Sequence, residues 1–177
     1  GQRDKVKRDA VRAGLDARGL TNGYVTVDAS DWWLEQAAID AVTAGEKINR
    51  EALRNLYIEH HVGAANFNDA LSRKMFGRAT AQVMLLHETD LAALRIDDLV
   101  DALRADGWQI ITTDEAYADP IAQMRPDVPS AQGTLTEAIA WEMGLPAPRW
   151  YEGNDTRLYE RQFRERVLHL EAVEKRK

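Results

Sequence analysis

The chain has 177 residues, of which 45% are hydrophobic and 29% charged, so it is long enough to form a hydrophobic core. Its formal net charge is −6, with 29 acidic residues against 23 basic ones, which argues against a nucleic-acid-binding protein because such proteins usually present a basic face. Cysteine is absent, which excludes disulfides and thiolate metal ligands, and no run approaches the ~20 apolar residues of a membrane-spanning helix.

The first 77 residues show apolar spacing that predicts three helices and one short strand. The helices are expected over residues 4–18, 32–45 and 50–77, each ending at or near a glycine. The β-branched residues in the segment 24–27 predict the strand between the first two helices.

The next segment has the pattern of a strand, a helix and a second strand. Residues 83–86 form an uninterrupted apolar run, which is typical of a strand buried on both faces. Residues 91–105 have helical spacing, and residues 108–111 predict another strand. Together these elements predict a parallel βαβ unit with a right-handed crossover, and therefore an α/β fold.

The remaining residues predict helices joined by proline-containing links. A short helix is expected around residues 115–118 and another from Thr134, which precedes Glu137 at capping-box spacing. A last helix is expected from residue 154 or 155 to about residue 170, followed by a charged tail that frays.

Three polar residues follow the predicted strands and form a candidate site. Asp28 and Asp31 follow the first strand, and His87 follows the second. Since the carboxyl ends of neighbouring parallel strands share one edge of a sheet, Asp31 and His87 are expected to meet there. A carboxylate that holds a histidine ring fixes its tautomer and favours its protonated form, as a general acid requires. Asp31 could instead be a helix N-cap, and His87 could be a structural residue.

Two short motifs and the segment after them resemble those of the polysaccharide deacetylases, the NodB-like carbohydrate esterases. Residues 26–32 (TVDASDW) resemble the family's D-x-x-D-W motif, and residues 85–87 (LLH) resemble its L-x-H motif. Residues 107–112 (GWQIIT) and Asp119-Pro120 resemble the segment that follows. The resemblance covers roughly residues 4–120 and keeps the order of the motifs.

The resemblance implies a fold, an activity and residue roles. Residues 1–125 would be the C-terminal half of a distorted (β/α) barrel, and residues 126–177 a C-terminal helical extension. His87 would be the general acid that protonates the leaving amine, Asp31 would hold its imidazole, and Trp32 would form a wall of the sugar groove. Asp28 would be structural, and at least one of Trp32 and Trp33 is expected to be a core aromatic.

The family's first three motifs, which supply the base aspartate and the metal ligands, are absent from the chain. Asp97-Asp98 lies within a predicted helix, and His60-His61 lacks a second histidine four positions away. That pair is interpreted as a surface feature, because adjacent helical residues point about 100° apart. Arg125-Pro126 follows the L-x-H motif and cannot be the family's third motif. The chain is therefore expected to bind no metal by itself.

The expected function follows from the resemblance and from the absence of the family's first three motifs. The protein would be a metal-dependent hydrolase that removes acetyl groups from amino-sugar polysaccharides, with a divalent metal, zinc by the family's pattern. It would be inactive alone and would need the N-terminal half of the domain, from another chain or another segment, or self-association. The alternatives are a non-catalytic saccharide-binding relative and a purely structural fragment. The resemblance suggests a secreted or periplasmic protein, but the charged start of this chain does not have the pattern of a signal peptide, so the sequence leaves the localisation open.

Overall fold

The computed structural model describes residues 4–129 and 133–169, which form seven α-helices and no β-sheet. Two 3₁₀ turns and a π-helical turn accompany the helices. The α-helices are α1 Lys5–Asp16, α2 Asp31–Thr43, α3 Arg50–Phe76, α4 Asp90–Ala105, α5 Thr113–Tyr117, α6 Leu135–Glu142 and α7 Thr156–Gln162. The 3₁₀ turns are Pro120–Gln123 and Glu152–Asn154, and the π-helical turn is Phe163–Val167.

The predicted α/β fold, with a half-barrel at its centre, is wrong for the described residues. They contain one isolated parallel bridge, between Val27 and Met84. The amide of Thr26 donates to the carbonyl of Val83, and the amide of Leu85 donates to the carbonyl of Val27, each at 2.9 Å. The two segments predicted as strands do run side by side, but their pairing stops after one bridge.

The third predicted strand, residues 108–111, lies outside any helix, strand or bridge. Ile110 and Ile111 are 51% and 44% exposed, and residues 83–86 are half-buried rather than buried on both faces. An apolar run indicates a tendency towards burial and extension, but a strand also needs a neighbour for its backbone groups. Within the described residues these segments lack enough neighbours to form a sheet.

The helix boundaries follow the local sequence more closely. Asp4 caps α1, Thr89 caps α4 and Thr134 caps α6, in each case by accepting a hydrogen bond from an amide of the first turn. Thr112 and Glu115 form a complete capping box at the start of α5. In the part of the chain that the structure describes, no helix is long and apolar enough to cross a bilayer.

The chain divides into two compact units. The first unit consists of Gly1–Asp28, Ala65–Leu85 and Ile111–Trp150, and the second of Ala29–Ala64, Leu86–Ile110 and Tyr151–Lys177. The predicted division between residues 125 and 126 stays a prediction.

The first unit has a core centred on Tyr24, Ile121 and Ile139. The ring of Tyr117 packs edge-on against Tyr24 at 4.8 Å between centroids, and its hydroxyl donates to the Tyr24 carbonyl. Asp119 accepts hydrogen bonds from Arg78 and from the amides of Ala81 and Ile121. The Arg78 guanidinium holds the pKa of Asp119 well below its usual range.

The second unit has a core in which α2 contacts both α4 and α7. The amide of Leu91, at the start of α4, donates to the Glu35 carboxylate of α2. Arg54 of α3 forms a 2.6 Å ion pair with Asp98 of α4. The fully buried side chains of this unit include Leu34, Leu56, Tyr57, Leu99, Tyr159 and Val167.

Candidate functional site

The second unit contains a histidine held at two points by one buried carboxylate. Asp31 Oδ1 lies 2.6 Å from Nδ1 of His87, and Asp31 Oδ2 accepts the backbone amide of His87 at 2.9 Å. The Asp31 side chain is 1% exposed, whereas that of His87 is 42% exposed. The hydrogen bond predicted between the two positions is therefore present. We refer to these two residues as the Asp31–His87 pair.

Asp31 is positioned by an unusual turn at the start of α2. Ser30 is buried and has φ 51° and ψ 40°, in the left-handed region that residues other than glycine rarely adopt. Ser30 is the N-cap and Asp31 the first helical residue, so the alternative that Asp31 caps the helix is wrong. The negative charge of Asp31 is favourable there because the amino end of a helix carries partial positive charge.

The arrangement gives the two ring nitrogens of His87 different roles. Asp31 has only oxygen acceptors when ionised, so Nδ1 must carry the proton that joins it to Oδ1. Nε2 is left as the nitrogen that can give a proton to, or take one from, a bound molecule. Since the same carboxylate also holds the backbone amide, the ring and the main chain of His87 are fixed together.

The two neighbouring tryptophans have different environments. Trp32 is 48% exposed. Trp33 packs in the second unit, with ring centroids 5.5 Å from Tyr159 and 6.4 Å from Phe163. Trp33 is half-buried against these two rings, so it packs on the core without being fully enclosed, whereas Trp32 is the more exposed of the two.

Two further side chains lie near the pair. Glu35 lies one helical turn after Asp31, which its i, i+4 spacing could have indicated, but its acceptance of the Leu91 amide of α4 follows from no sequence pattern. Tyr57 of α3 is fully buried, and burial, followed by the negative charge of Asp31, raises the pKa of its hydroxyl. No sequence pattern connects Tyr57 to Asp31.

His60 and His61, expected on the surface, are both buried. Nε2 of His60 lies 2.7 Å from Oε1 of Gln162, and its ring stacks on Tyr159 at 3.9 Å between centroids. Nδ1 of His61 lies 2.7 Å from the Tyr57 carbonyl. The surface prediction is wrong because α3 is covered on more than one side, so that adjacent residues 100° apart are both enclosed.

Burial of His60 predicts a specific loss of stability in acid. Burial lowers the pKa of His60, and the hydrogen bond to Gln162 offsets part of this effect. Below about pH 6.5 the unfolded chain binds a proton at this ring that the folded chain does not, so the free energy of unfolding falls with pH until the folded ring also titrates. Urea unfolding between pH 7.5 and 5 should show this slope in the parent chain, and a reduced slope in His60→Gln.

The control is His169→Gln, since His169 is exposed. It should keep the slope of the parent chain. Equal slopes in the parent and in His60→Gln would show that burial of His60 has no such consequence.

The metal implied by the resemblance does not fit the residues that the structure describes. Across residues 4–129 and 133–169, no three His, Cys, Asp or Glu side chains lie together so as to hold a metal ion. A catalytic zinc ion needs about three protein ligands in addition to water. Each of the two buried histidines has one ring nitrogen within hydrogen-bond distance of a protein group.

A cleft of about 590 Å³ lies in the first unit. It is lined mainly by α1 and by residues 20–25 and 122–129, and neither Asp31 nor His87 is among its lining residues. Arg8 and Arg125 on its wall are paired with Asp127 and Asp16. The cleft is therefore not the site of the Asp31–His87 pair.

A scan against protein-family models, a search of curated proteins and a search of solved structures each found no match for this chain.

Proposed function

We propose that this chain supplies the proton-donating half of a hydrolase site that removes acetyl groups from amino-sugar polysaccharides. His87 is the general acid, Asp31 is its positioning residue and Trp32 is a surface for a sugar ring. The single observation that supports the proposal best is the 2.6 Å contact between a buried carboxylate and a half-exposed imidazole. The motif resemblance supplies the substrate class.

The pair suits donation of a proton to a leaving amine. Hydrolysis of an acetamido group adds water to the acetyl carbonyl and breaks the bond between carbonyl carbon and nitrogen. The amine nitrogen must gain a proton as that bond breaks, because an unprotonated amide anion is a poor leaving group. Nε2 of His87 gives this proton, acetate and the free amine are the products, and the ring then takes up a proton from solvent.

Asp31 makes His87 effective by fixing the orientation of its ring. Its two hydrogen bonds, to Nδ1 and to the His87 amide, prevent the ring from turning Nδ1 towards the substrate. The reacting nitrogen therefore keeps one direction, which reduces the entropy lost when substrate and acid meet.

The proposal does not assign activation of the attacking water to any residue of this chain. The described residues do not form a metal site, so the proposal takes the groups that hold a divalent metal from outside them, in another segment or another chain. The proposal is accordingly a half-site, completed by a partner segment or chain.

The test is acetate release from N-acetylglucosamine oligomers by the complete assembly that contains this chain. We expect acetate and free amine in equal amounts, and loss of release on treatment with a chelator. Absence of acetate release from an assembly shown to contain one metal ion per site would exclude the proposed activity.

A non-catalytic saccharide-binding protein is the second candidate, favoured by the 48% exposure of Trp32 and by the lack of a metal cluster in the described residues. Pairs of aromatic rings contribute about 0.5–1.5 kcal/mol beyond buried area, and a ligand contact of the same size on the Trp32 indole would make Trp32→Ala weaken binding about two- to tenfold. Calorimetric titration with chitin oligomers measures this effect. Trp141→Ala is the matched control because Trp141 is also partly exposed but lies in the first unit.

These two candidates give different results in the two assays. Binding that depends on Trp32, without acetate release by the complete assembly, would favour the binding protein. Binding unaffected by Trp32→Ala would remove Trp32 from both proposals.

A further inference from the structure

The segment after residue 150 contacts the turn from which Asp31 emerges. Tyr159 of α7 is fully buried, and its hydroxyl donates to the carbonyl of Ala29 at 2.5 Å. Ala29 is itself buried and lies two residues before Asp31 in the sequence. All of these residues belong to the second unit.

The turn held by this hydrogen bond needs an external restraint. Ser30 lies in the left-handed region without being a glycine. Such a conformation persists only where surrounding contacts determine it. The Ala29 carbonyl is buried, so without the Tyr159 hydroxyl it would lose a partner, and a buried unpaired carbonyl drives the chain to rearrange.

Tyr159 is in turn held rigidly by its own neighbours. Its ring stacks on His60 at 3.9 Å between centroids and packs against Trp33 at 5.5 Å. His60 is joined to Gln162, which also lies on α7. These contacts fix the hydroxyl of Tyr159 relative to α3 and to the start of α2.

We propose that Tyr159 is a positioning residue of the Asp31–His87 pair, which acts by fixing the Ala29–Ser30 turn that orients the Asp31 carboxylate. The catalytic meaning of this role rests on the proposed function, whereas the positioning itself does not. Residues 126–177, which lie outside the part of the chain that resembles the deacetylases, would thereby contribute to the site through Tyr159.

The test compares Tyr159→Phe with the parent chain by nuclear magnetic resonance, without substrate or metal. The variant removes one hydroxyl and keeps the ring. We expect hydrogen exchange of the His87 amide, which donates to Asp31 Oδ2, to become about five- to tenfold faster, the factor for loss of one buried hydrogen bond. The His87 ring, now held less firmly at Nδ1, should show a second tautomer in its ¹⁵N spectrum.

Tyr117→Phe is the matched control, because the Tyr117 hydroxyl also donates to a backbone carbonyl but in the first unit. It should leave both His87 signals unchanged. The amide of Leu56, buried in α3, reports general loosening of the second unit. Equal acceleration at Leu56 and His87, or an unchanged His87 ring spectrum in Tyr159→Phe, would overturn the proposal.

If Tyr159→Phe does not fold, 3-fluorotyrosine at position 159 takes its place. It keeps the shape of the side chain and makes the hydroxyl a stronger donor. The resonance of the His87 Nδ1 proton should then shift, and the same replacement at position 117 should not shift it. No shift at either position would overturn the proposal. Because these measurements need no turnover, a failure of deacetylation would leave their outcome unaffected.

Discussion

Turnover by the complete assembly should fall by roughly 10²–10⁴ in His87→Ala, the range that positioned acid–base groups contribute. Asp31→Asn should cause a loss of similar size, although it keeps the imidazole. The asparagine side chain has one acceptor oxygen, whereas the aspartate carboxylate has two. Nδ1 and the backbone amide of His87 each need an acceptor oxygen, so one of them loses its partner. In hydrolases with a buried aspartate behind a histidine, the same change costs about 10⁴ because the ring adopts the wrong tautomer.

The double variant distinguishes a working pair from two independent contributions. If Asp31 acts only through His87, His87→Ala combined with Asp31→Asn should be no slower than His87→Ala alone. His169→Ala and Asp101→Asn are the matched controls, since both side chains are exposed. Losses that multiply in the double variant, or a normal rate in His87→Ala, would contradict the roles proposed for the pair.

Thr26→Val should lower the free energy of unfolding by about 1–3 kcal/mol, the cost of leaving a buried donor unpaired. The Thr26 hydroxyl is fully buried and accepts the Val83 amide at 2.8 Å. Valine has nearly the same shape but offers no acceptor. Since pairing between these segments is limited to one bridge in the described residues, a side chain supplies the bond that a longer ladder would have provided.

Urea unfolding measures this effect, and Thr21→Val is the control because Thr21 is exposed. The control should change the free energy of unfolding by less than about 0.5 kcal/mol, as is usual for surface substitutions. An equally small change for Thr26→Val would mean that water or another group satisfies the Val83 amide.

The contact between Asp31 and His87 could be predicted from the motif resemblance and from the position of each residue a few places after an apolar segment. The two residues lie 56 positions apart, so the contact also depends on the two segments running side by side near Val27 and Met84. The helices could be predicted because their caps and apolar periods lie within the helix itself.

The sheet could not be predicted from apolar runs alone. A run such as residues 83–86 indicates extension and burial, but strand formation depends on neighbouring segments that are often distant in the sequence. The two buried histidines illustrate the same limit. Whether His60 faces solvent depends on α7, about 100 residues later, and nothing in the sequence near His60 indicates that Tyr159 and Gln162 cover it.

The most direct test of the account is the ¹⁵N spectrum of the His87 ring in the full chain, assigned by its loss in His87→Gln. We predict that the neutral ring carries its proton on Nδ1, shared with Asp31, and that Asp31→Asn abolishes this state. A neutral ring protonated on Nε2, or one that exchanges freely between both tautomers, would contradict the geometry on which the proposed proton transfer depends.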